Sequence, residues 1–268
     1  MENTIIKKVG DKLGKTIAIF AGIHGNEKVG IEALNILIQD ISIKSGTVYF
    51  VYANPLAIEK GVRMVNKNMN RLFFSENDDK AEEDIRAREL MKILDECEAL
   101  LDIHSYNSET GDQFAITEPE GFEIVKKMDF PIVASGFSGM GSGTDSYMHT
   151  SSKVGICVEC GTTNRFEQFI PLAIKSAKQF MQYFGCIDAS VEYDSIAQKH
   201  ITASRIIYKK NEPFRFVKNF LDFEPLPVGQ PFAFQGNEPE IAGENECILF
   251  PRPNEPVGGE VCIIARTN

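Results

Sequence analysis

The sequence lacks tryptophan, holds only four histidines in 268 residues, and is short of positive charge. Lysine and arginine number 28 against 38 acidic residues, which gives a formal net charge of -10 at pH 7 and a pI near 5.0. Affinity for a nucleic-acid backbone comes from clustered basic residues. The deficit therefore argues against nucleic acid as a partner.

Long apolar runs are missing as well. No segment approaches the roughly 18 consecutive apolar residues that a membrane helix needs, and residues 1–8 are too polar for a secretory signal. We therefore expect a cytoplasmic protein that does not associate with a membrane.

Cysteine is sparse and irregularly spaced. A chain of this length can bury a core without covalent staples, so we expect the six cysteines to be reduced and to form no disulfides. Cys157 and Cys160 have a C-x-x-C spacing, but in a strand they point to opposite faces and no second pair completes a four-sulfur site. We interpret both as buried thiols.

Apolar runs and amphipathic stripes alternate along the first two thirds of the chain. Runs that are apolar on both faces predict buried strands at 16–20, 48–53, 99–104 and 154–159. Apolar residues at helical spacing predict helices within 31–41, 87–94 and 170–184. The alternation predicts an α/β fold with a mixed central sheet flanked by helices.

Proline is scarce until the chain nears its end. Eight of the twelve prolines lie after residue 190, between short β-prone runs such as Cys262-Ile263-Ile264. This change predicts an α/β domain over residues 1–189 and a small all-β C-terminal domain over residues 190–268. Because the sequence shows no repeat and no low-complexity linker, we expect the two parts to pack together.

Two of the four histidines stand beside acids at predicted strand ends. His24-Gly25-Asn26-Glu27 follows the first strand, and its three-residue offset lets imidazole and carboxylate point at one ion. His104 ends a later strand two residues after Asp102, so their side chains share a face. In α/β sheets ligands bind beyond the carboxyl ends of strands. We therefore predict one zinc ion on His24, Glu27 and His104, with a position left open for water.

Glu159 ends another apolar strand. An unpaired ionised carboxylate is costly there unless it has a partner or a purpose. Opposite a zinc ion it would take a proton from water and pass it to a leaving amine. The alternative is a structural ion pair with an arginine.

Arg63 and the pair Asn70-Arg71 follow the second strand. The guanidinium group of arginine binds a carboxylate through two parallel hydrogen bonds and always carries a positive charge. We predict that Arg63 polarises a scissile carbonyl and that Asn70 and Arg71 anchor a substrate carboxylate. Surface salt bridges are the alternative for the arginines. His149 and His200 have no comparable acidic neighbours in the sequence, and we interpret them as surface or loop residues.

In their order along the chain, these motifs resemble the succinylglutamate desuccinylase and aspartoacylase family, which is related to zinc carboxypeptidases. The resemblance is carried by His24-Gly25-Asn26-Glu27-Lys28-Val29-Gly30, Asn54-Pro55, Arg63, Asn70-Arg71, Asp102-Ile103-His104 and Val158-Glu159-Cys160-Gly161. The motifs span the predicted α/β domain, and the β-rich tail agrees in position and character. The combination is far more specific than any single motif.

The resemblance implies a zinc carboxypeptidase-like fold and gives each residue the role already argued for it. It implies zinc at His24, Glu27 and His104, a general base and acid at Glu159, carbonyl assistance by Arg63, and carboxylate anchoring by Asn70 and Arg71. The chain departs from the family at two positions. The family often has Asp where Asn68 stands, and aspartoacylases carry an Arg where His149 stands. The second departure weakens the expectation of aspartate specificity and leaves the acyl amino acid open.

Residues and resemblance together predict a zinc-dependent hydrolase that cleaves the amide bond of a small anionic N-acyl amino acid. A peptidase or amidase acting on longer peptides is the alternative enzyme, and the two differ in whether the C-terminal region closes over the cleft. A metal-binding protein without catalysis is the alternative from another class. No heptad stripe indicates an oligomeric state.

Overall fold

The structure is a computed structural model that describes residues 3–74, 77, 79–141, 143–194 and 196–267. Its helices are α1 (Lys28–Asp40), α2 (Pro55–Lys60), α3 (Glu82–Glu96), α4 (Phe122–Val125), α5 (Thr144–Thr150) and α6 (Ile170–Tyr183). Its first seven strands are β1 (Ile5–Val9), β2 (Lys12–Ala21), β3 (Ser45–Tyr52), β4 (Ala99–Tyr106), β5 (Gln113–Thr117), β6 (Ile132–Ser135) and β7 (Val154–Thr162). The remaining strands are β8 (Lys199–Tyr208), β9 (Phe214–Phe216), β10 (Glu224–Pro225), β11 (Pro231–Gln235), β12 (Glu238–Ile241), β13 (Glu246–Leu249) and β14 (Glu260–Thr267).

Within these residues, eleven strands form one mixed sheet in the order β1-β3-β2-β4-β7-β5-β6-β8-β14-β13-β10. The central strands β3, β2, β4 and β7 run parallel, whereas β5 runs antiparallel to β7. A second, antiparallel sheet contains β12, β11 and β9. The predicted class, a mixed central sheet flanked by helices with a small β unit, is confirmed.

Strand β2 shows why the central strands read as continuous apolar runs. Ile17 and Ile19 pack on one face, in the core that includes α1 and α6. Ala18 and Phe20 pack on the other face, in the core that includes α3. Helices therefore cover both faces, and burying each large side chain stabilises the fold by about 1.5–3 kcal/mol.

The parallel strands bring their carboxyl ends to one edge of the sheet. His24 lies just beyond β2, and His104 and Glu159 lie in β4 and β7 as direct register partners. Helix α1 begins right after Glu27 and packs closely on β4, since a Cβ at Gly30 would lie 2.9 Å from the Ile103 carbonyl oxygen. This close packing holds Glu27 beside the end of β4.

The C-terminal stretch extends the main sheet. Strand β8 pairs in parallel with β6, and β14 pairs antiparallel with β8. The division at residue 189 falls between α6 and β8 and stays a prediction. Among the described helices, none combines the length and apolarity needed to cross a bilayer.

Candidate active site

His24, Glu27 and His104 converge on one point at the end of the sheet. His24 Nδ1 lies 2.7 Å from Glu27 Oε1, and His104 Nδ1 lies 2.9 Å from Glu27 Oε2. One ligand atom from each residue falls within 4.8 Å of the others, and all three side chains are buried. The Ser105 backbone N–H also donates to Glu27 Oε2 at 3.3 Å. Two imidazole nitrogens and one carboxylate are donor types that catalytic zinc sites use, so this group could hold a metal ion.

The outer nitrogens of both imidazoles face oxygen atoms. His24 Nε2 lies 3.0 Å from Asn68 Oδ1, which also accepts from the Asn70 backbone N–H at 3.1 Å. His104 Nε2 lies 3.0 Å from Asp102 Oδ2, although the angle falls short of a hydrogen bond. An acceptor on this side favours the tautomer that keeps its proton on Nε2 and frees Nδ1 as a ligand. The residues present therefore fit a bound metal.

The acid–base properties of these three residues reflect their burial and mutual contacts. Burial lowers the pKa of His24 and so favours the neutral imidazole. Burial alone would raise the pKa of Glu27, but His24 and His104 outweigh it and hold that pKa well below its usual range. Burial is likewise outweighed at His104, where Asp102 and other acidic groups raise the pKa. A metal ion binding at His104 would displace a proton.

Glu159 lines the same pocket and is buried in its wall. Its side chain is 8% exposed, and its Oε2 has no hydrogen-bond partner among the described residues. Burial raises its pKa to about 8, and the charge of Glu27 acts in the same direction. The structure shows no ion pair between Glu159 and a described arginine, so the structural alternative raised by the sequence finds no support.

Arg63 and Asn70 line the pocket. Arg63 Nη1 donates to Glu27 Oε1 at 3.0 Å, and its carbonyl accepts from the Gly25 N–H at 3.3 Å. Asn70 Oδ1 accepts from the Thr144 N–H at 3.3 Å. The loop after β3 therefore contacts the segment 24–27 through both side chain and backbone.

Arg71 also lines the pocket, but it is paired with Glu260 at the start of β14. Nearby, the Arg252 guanidinium lies over the Phe250 ring at 5.5 Å and has no ion-pair partner among the described residues. Glu260 and Arg252 were not predicted from the sequence. They lie far along the chain in the proline-rich tail, and no spacing motif connects them to the histidines. Only Arg252, placed between two prolines, stands out locally.

The pocket holds about 880 Å³ of empty space, counting its open mouth. Residues from both halves of the chain line it. We define its apolar wall as Ile116, Phe137, Met140, Ile206, Phe250 and Ile263. Half of these side chains follow residue 190, so the C-terminal stretch helps to enclose the site.

A family model and several known proteins match this chain. A model of the succinylglutamate desuccinylase/aspartoacylase catalytic domain matches residues 13–184, more than half of the chain. The chain belongs to the succinylglutamate desuccinylase/aspartoacylase family. The resemblance seen in the motifs is confirmed, and membership places the chain among deacylases.

Relatives in this family align over most of the chain. The succinylglutamate desuccinylase of Shewanella sp. (strain W3-18-1) is 27% identical over an alignment 300 residues long. The alignment covers 95% of this chain and 84% of the relative. The crystal structure of succinylglutamate desuccinylase from Vibrio cholerae matches with a TM-score of 0.84 at 20% identity, covering 98% and 85% of the two chains. A product-bound structure of the ectoine utilization protein EutE (DoeB) from Ruegeria pomeroyi matches with a TM-score of 0.68 at 18% identity, covering 98% and 81%. The structural matches establish the fold.

The remaining histidines and cysteines of this family member have other places. His149 lies in α5 with its Nε2 3.1 Å from the Gly155 carbonyl, and His200 packs edge-on against Phe122; neither lines the pocket. His149 is therefore more buried than the predicted surface position. All six cysteines are buried and free, which confirms the absence of disulfides among them.

Proposed function

We propose that the protein is a zinc-dependent hydrolase that cleaves the amide bond of a small N-acyl amino acid. One observation carries the proposal. Two imidazole Nδ1 atoms and the Glu27 carboxylate converge on one point, and the buried carboxylate of Glu159 lines the same pocket. Family membership supports the reaction class.

His24, Glu27 and His104 would hold the zinc ion. A bound zinc ion supplies a Lewis acid for the substrate carbonyl and lowers the pKa of a water molecule to about 7. Asn68 and Asp102 orient the two imidazoles from the outer side. These contacts would hold the Nδ1 atom of each imidazole toward the ion.

Glu159 is the proposed proton carrier. Its carboxylate, which lines the pocket, accepts the proton of the attacking water and delivers it to the amine nitrogen as the C–N bond breaks. A group suits both acts when its pKa lies near the working pH. Burial, which raises the pKa of Glu159 to about 8, supplies that match.

Arg63 is the proposed electrostatic partner of the carbonyl oxygen. Its guanidinium contacts Glu27 through one nitrogen, and its side chain remains 36% exposed toward the pocket. The other N–H groups are positioned to donate to negative charge that develops on the substrate oxygen. The charge is permanent, so no proton transfer is needed.

Asn70 and Arg71 are the residues that the sequence assigns to the substrate carboxylate. Both line the pocket, but Arg71 is already paired with Glu260, and the assignment stays a prediction. The curated relatives are named as succinylglutamate desuccinylases, enzymes whose substrate is a small acylated amino acid. A small substrate agrees with a pocket enclosed by both halves of the chain, whereas a peptidase would need an open groove.

The test is hydrolysis by the zinc-loaded protein of a panel of N-acyl amino acids that varies acyl group and side chain, with release of free amine as the readout. Glu159→Gln should lower kcat by about 10²–10⁴-fold while leaving the zinc content unchanged. The exposed Glu167, changed to Gln, is the matched control and should leave kcat unchanged. Turnover retained by Glu159→Gln would refute the role of Glu159, and zinc binding without hydrolysis of any amide would favour a non-catalytic protein.

A further inference from the structure

The guanidinium of Arg71 has its bidentate edge occupied by a carboxylate of the protein itself. Its Nε and Nη2 donate to the two carboxylate oxygens of Glu260 at 2.9 and 2.8 Å. Its Nη1 donates to the Asn70 carbonyl oxygen at 2.8 Å. A substrate carboxylate would need the same two parallel bonds. It can therefore bind Arg71 in this way only by displacing Glu260.

Glu260 also places negative charge at this end of the pocket. Its side chain is 25% exposed, and Arg71 outweighs the effect of burial to hold the pKa of Glu260 below its usual range. The group is therefore ionised at neutral pH. A second carboxylate entering beside Glu260 would meet like charge, and Arg71, the guanidinium that could offset it, is already paired.

Arg252, unlike Arg71, has a guanidinium that is available to bind a substrate carboxylate. It lines the same pocket, packs over Phe250 and has no ion-pair partner among the described residues. Its backbone N–H donates to the Val261 carbonyl at 2.7 Å, which fixes the loop next to Glu260. Glu255, Glu159 and Glu260 lie near enough to act on the charge of Arg252, but none of them forms an ion pair with it, so its hydrogen-bond donors can take a substrate carboxylate.

The rest of the pocket is lined in large part by the apolar wall. Ile116 and Ile263 are each 7% exposed, and the other four side chains of the wall are partly buried. An apolar substituent packed there would remove surface from water on both sides. A charged substituent would lose its hydration there and gain no partner.

We infer that this enzyme selects N-acyl amino acids with a single carboxylate and an apolar group. Arg252 binds the carboxylate, the apolar wall receives the apolar group, and Glu260 excludes a second carboxylate by occupying Arg71. The inference rests on the proposed deacylase function and names its substrate class.

The experiment compares N-acetyl-L-methionine with N-acetyl-L-aspartate as substrates of the zinc-loaded full chain. The unmodified protein should show a kcat/KM at least about tenfold higher for the methionine derivative, carried mainly by KM. Glu260→Gln keeps a hydrogen-bonding partner for Arg71 but removes the charge, and should raise the aspartate-to-methionine ratio of kcat/KM by about tenfold. The exposed Glu244, changed to Gln, is the matched control and should leave the ratio unchanged.

The outcomes separate this inference from the proposed function. Hydrolysis of N-acetyl-L-aspartate in preference to N-acetyl-L-methionine by the unmodified protein would overturn the inference while supporting the deacylase. A Glu260→Gln variant that loses both activities in the same proportion would show that Glu260 only supports Arg71. Absence of hydrolysis of every N-acyl amino acid in the panel would instead remove the proposed function. If the Glu260→Gln variant does not fold, the preference of the unmodified protein between N-acetyl-L-methionine and N-acetyl-L-aspartate still tests the inference.

Discussion

Asp102 and Asn68 occupy equivalent places behind the two imidazoles but differ in charge. Asn68 presents a neutral oxygen to His24, whereas Asp102 presents a carboxylate that is fully buried in β4. Asp102 Oδ2 also accepts from the Thr144 hydroxyl at 2.5 Å. A buried carboxylate behind a ligand imidazole raises the basicity of the ligand and fixes its orientation.

Asp102→Asn should therefore weaken zinc binding by about 10–100-fold, because the neutral amide holds His104 less firmly and lowers the basicity of its Nδ1. Competition with a chelator of known affinity measures the dissociation constant. The matched control is Asp188→Asn at an exposed position, which should leave the constant unchanged. An unchanged zinc affinity in a folded Asp102→Asn variant would contradict the proposed orienting role.

Residue types and short spacings predicted most of the candidate site. All seven predicted site residues line one pocket: His24, Glu27, Arg63, Asn70, Arg71, His104 and Glu159. Their positions at strand ends made this possible, since the ends of parallel strands meet. The pairing of Arg71 with Glu260 was not predictable, because 189 positions separate the partners and either acid or base could have found another partner.

The segment 24–27 is held in place by the short helix α2. Asn54 caps that helix by accepting from the Ala57 N–H at 3.2 Å, and Pro55 stands in its first turn. Gly25 packs directly on the helix backbone, where a Cβ would lie only 2.0 Å from the Ala57 carbonyl carbon. The segment 24–27 therefore has no room for a side chain at Gly25.

Gly25→Ala should destabilise the protein by about 1–3 kcal/mol, because backbone must move to admit the methyl group. The same movement shifts His24 and Glu27, so zinc affinity should fall as well. Urea unfolding of the metal-free protein measures the first effect and chelator competition the second. Gly139→Ala is the control, since a Cβ there has nothing within 4 Å. An unchanged unfolding midpoint for Gly25→Ala would contradict the close packing.

At the scale of elements, periodicity located the long buried segments and missed the short or half-exposed ones. The predicted strands correspond to β2, β3, β4 and β7, and the predicted helices to α1, α3 and α6. Strand β1 contains two lysines and lies at the edge of the sheet, and β6 has only four residues. Neither strand produces a long continuous apolar run in the sequence. Both strands are therefore recognised only from their backbone pairing with β3 and β8.

Strand β8 joins the two halves of the molecule. Its residues Lys199 to Thr202 pair with β6, and the strand continues along β14. A buried cluster spans the junction, containing Tyr106 and Phe114 from the first half and Ile201 and Leu249 from the second. Backbone pairing and core packing thus both cross the boundary predicted from composition.

Thermal unfolding of the metal-free protein should consequently be a single transition. Continuous pairing and a shared core couple the two halves, so neither unfolds without exposing apolar surface of the other. Scanning calorimetry provides the check, with equal calorimetric and van't Hoff enthalpies expected. Two resolved transitions, or cleavage near residue 189 that leaves a stable N-terminal fragment, would indicate independent domains.

The sequence by itself determined the fold class, the strand ends that carry the candidate site, and the grouping of His24, Glu27 and His104. These follow from local properties: side-chain periodicity, residue type and the geometry of parallel sheets. Tertiary structure alone decided that Glu260 pairs with Arg71 and that Arg252 lines the pocket with no ion-pair partner in the described part of the chain. Charged groups on a distant loop have many possible partners, and only the packing of β14 against β8 selects among them.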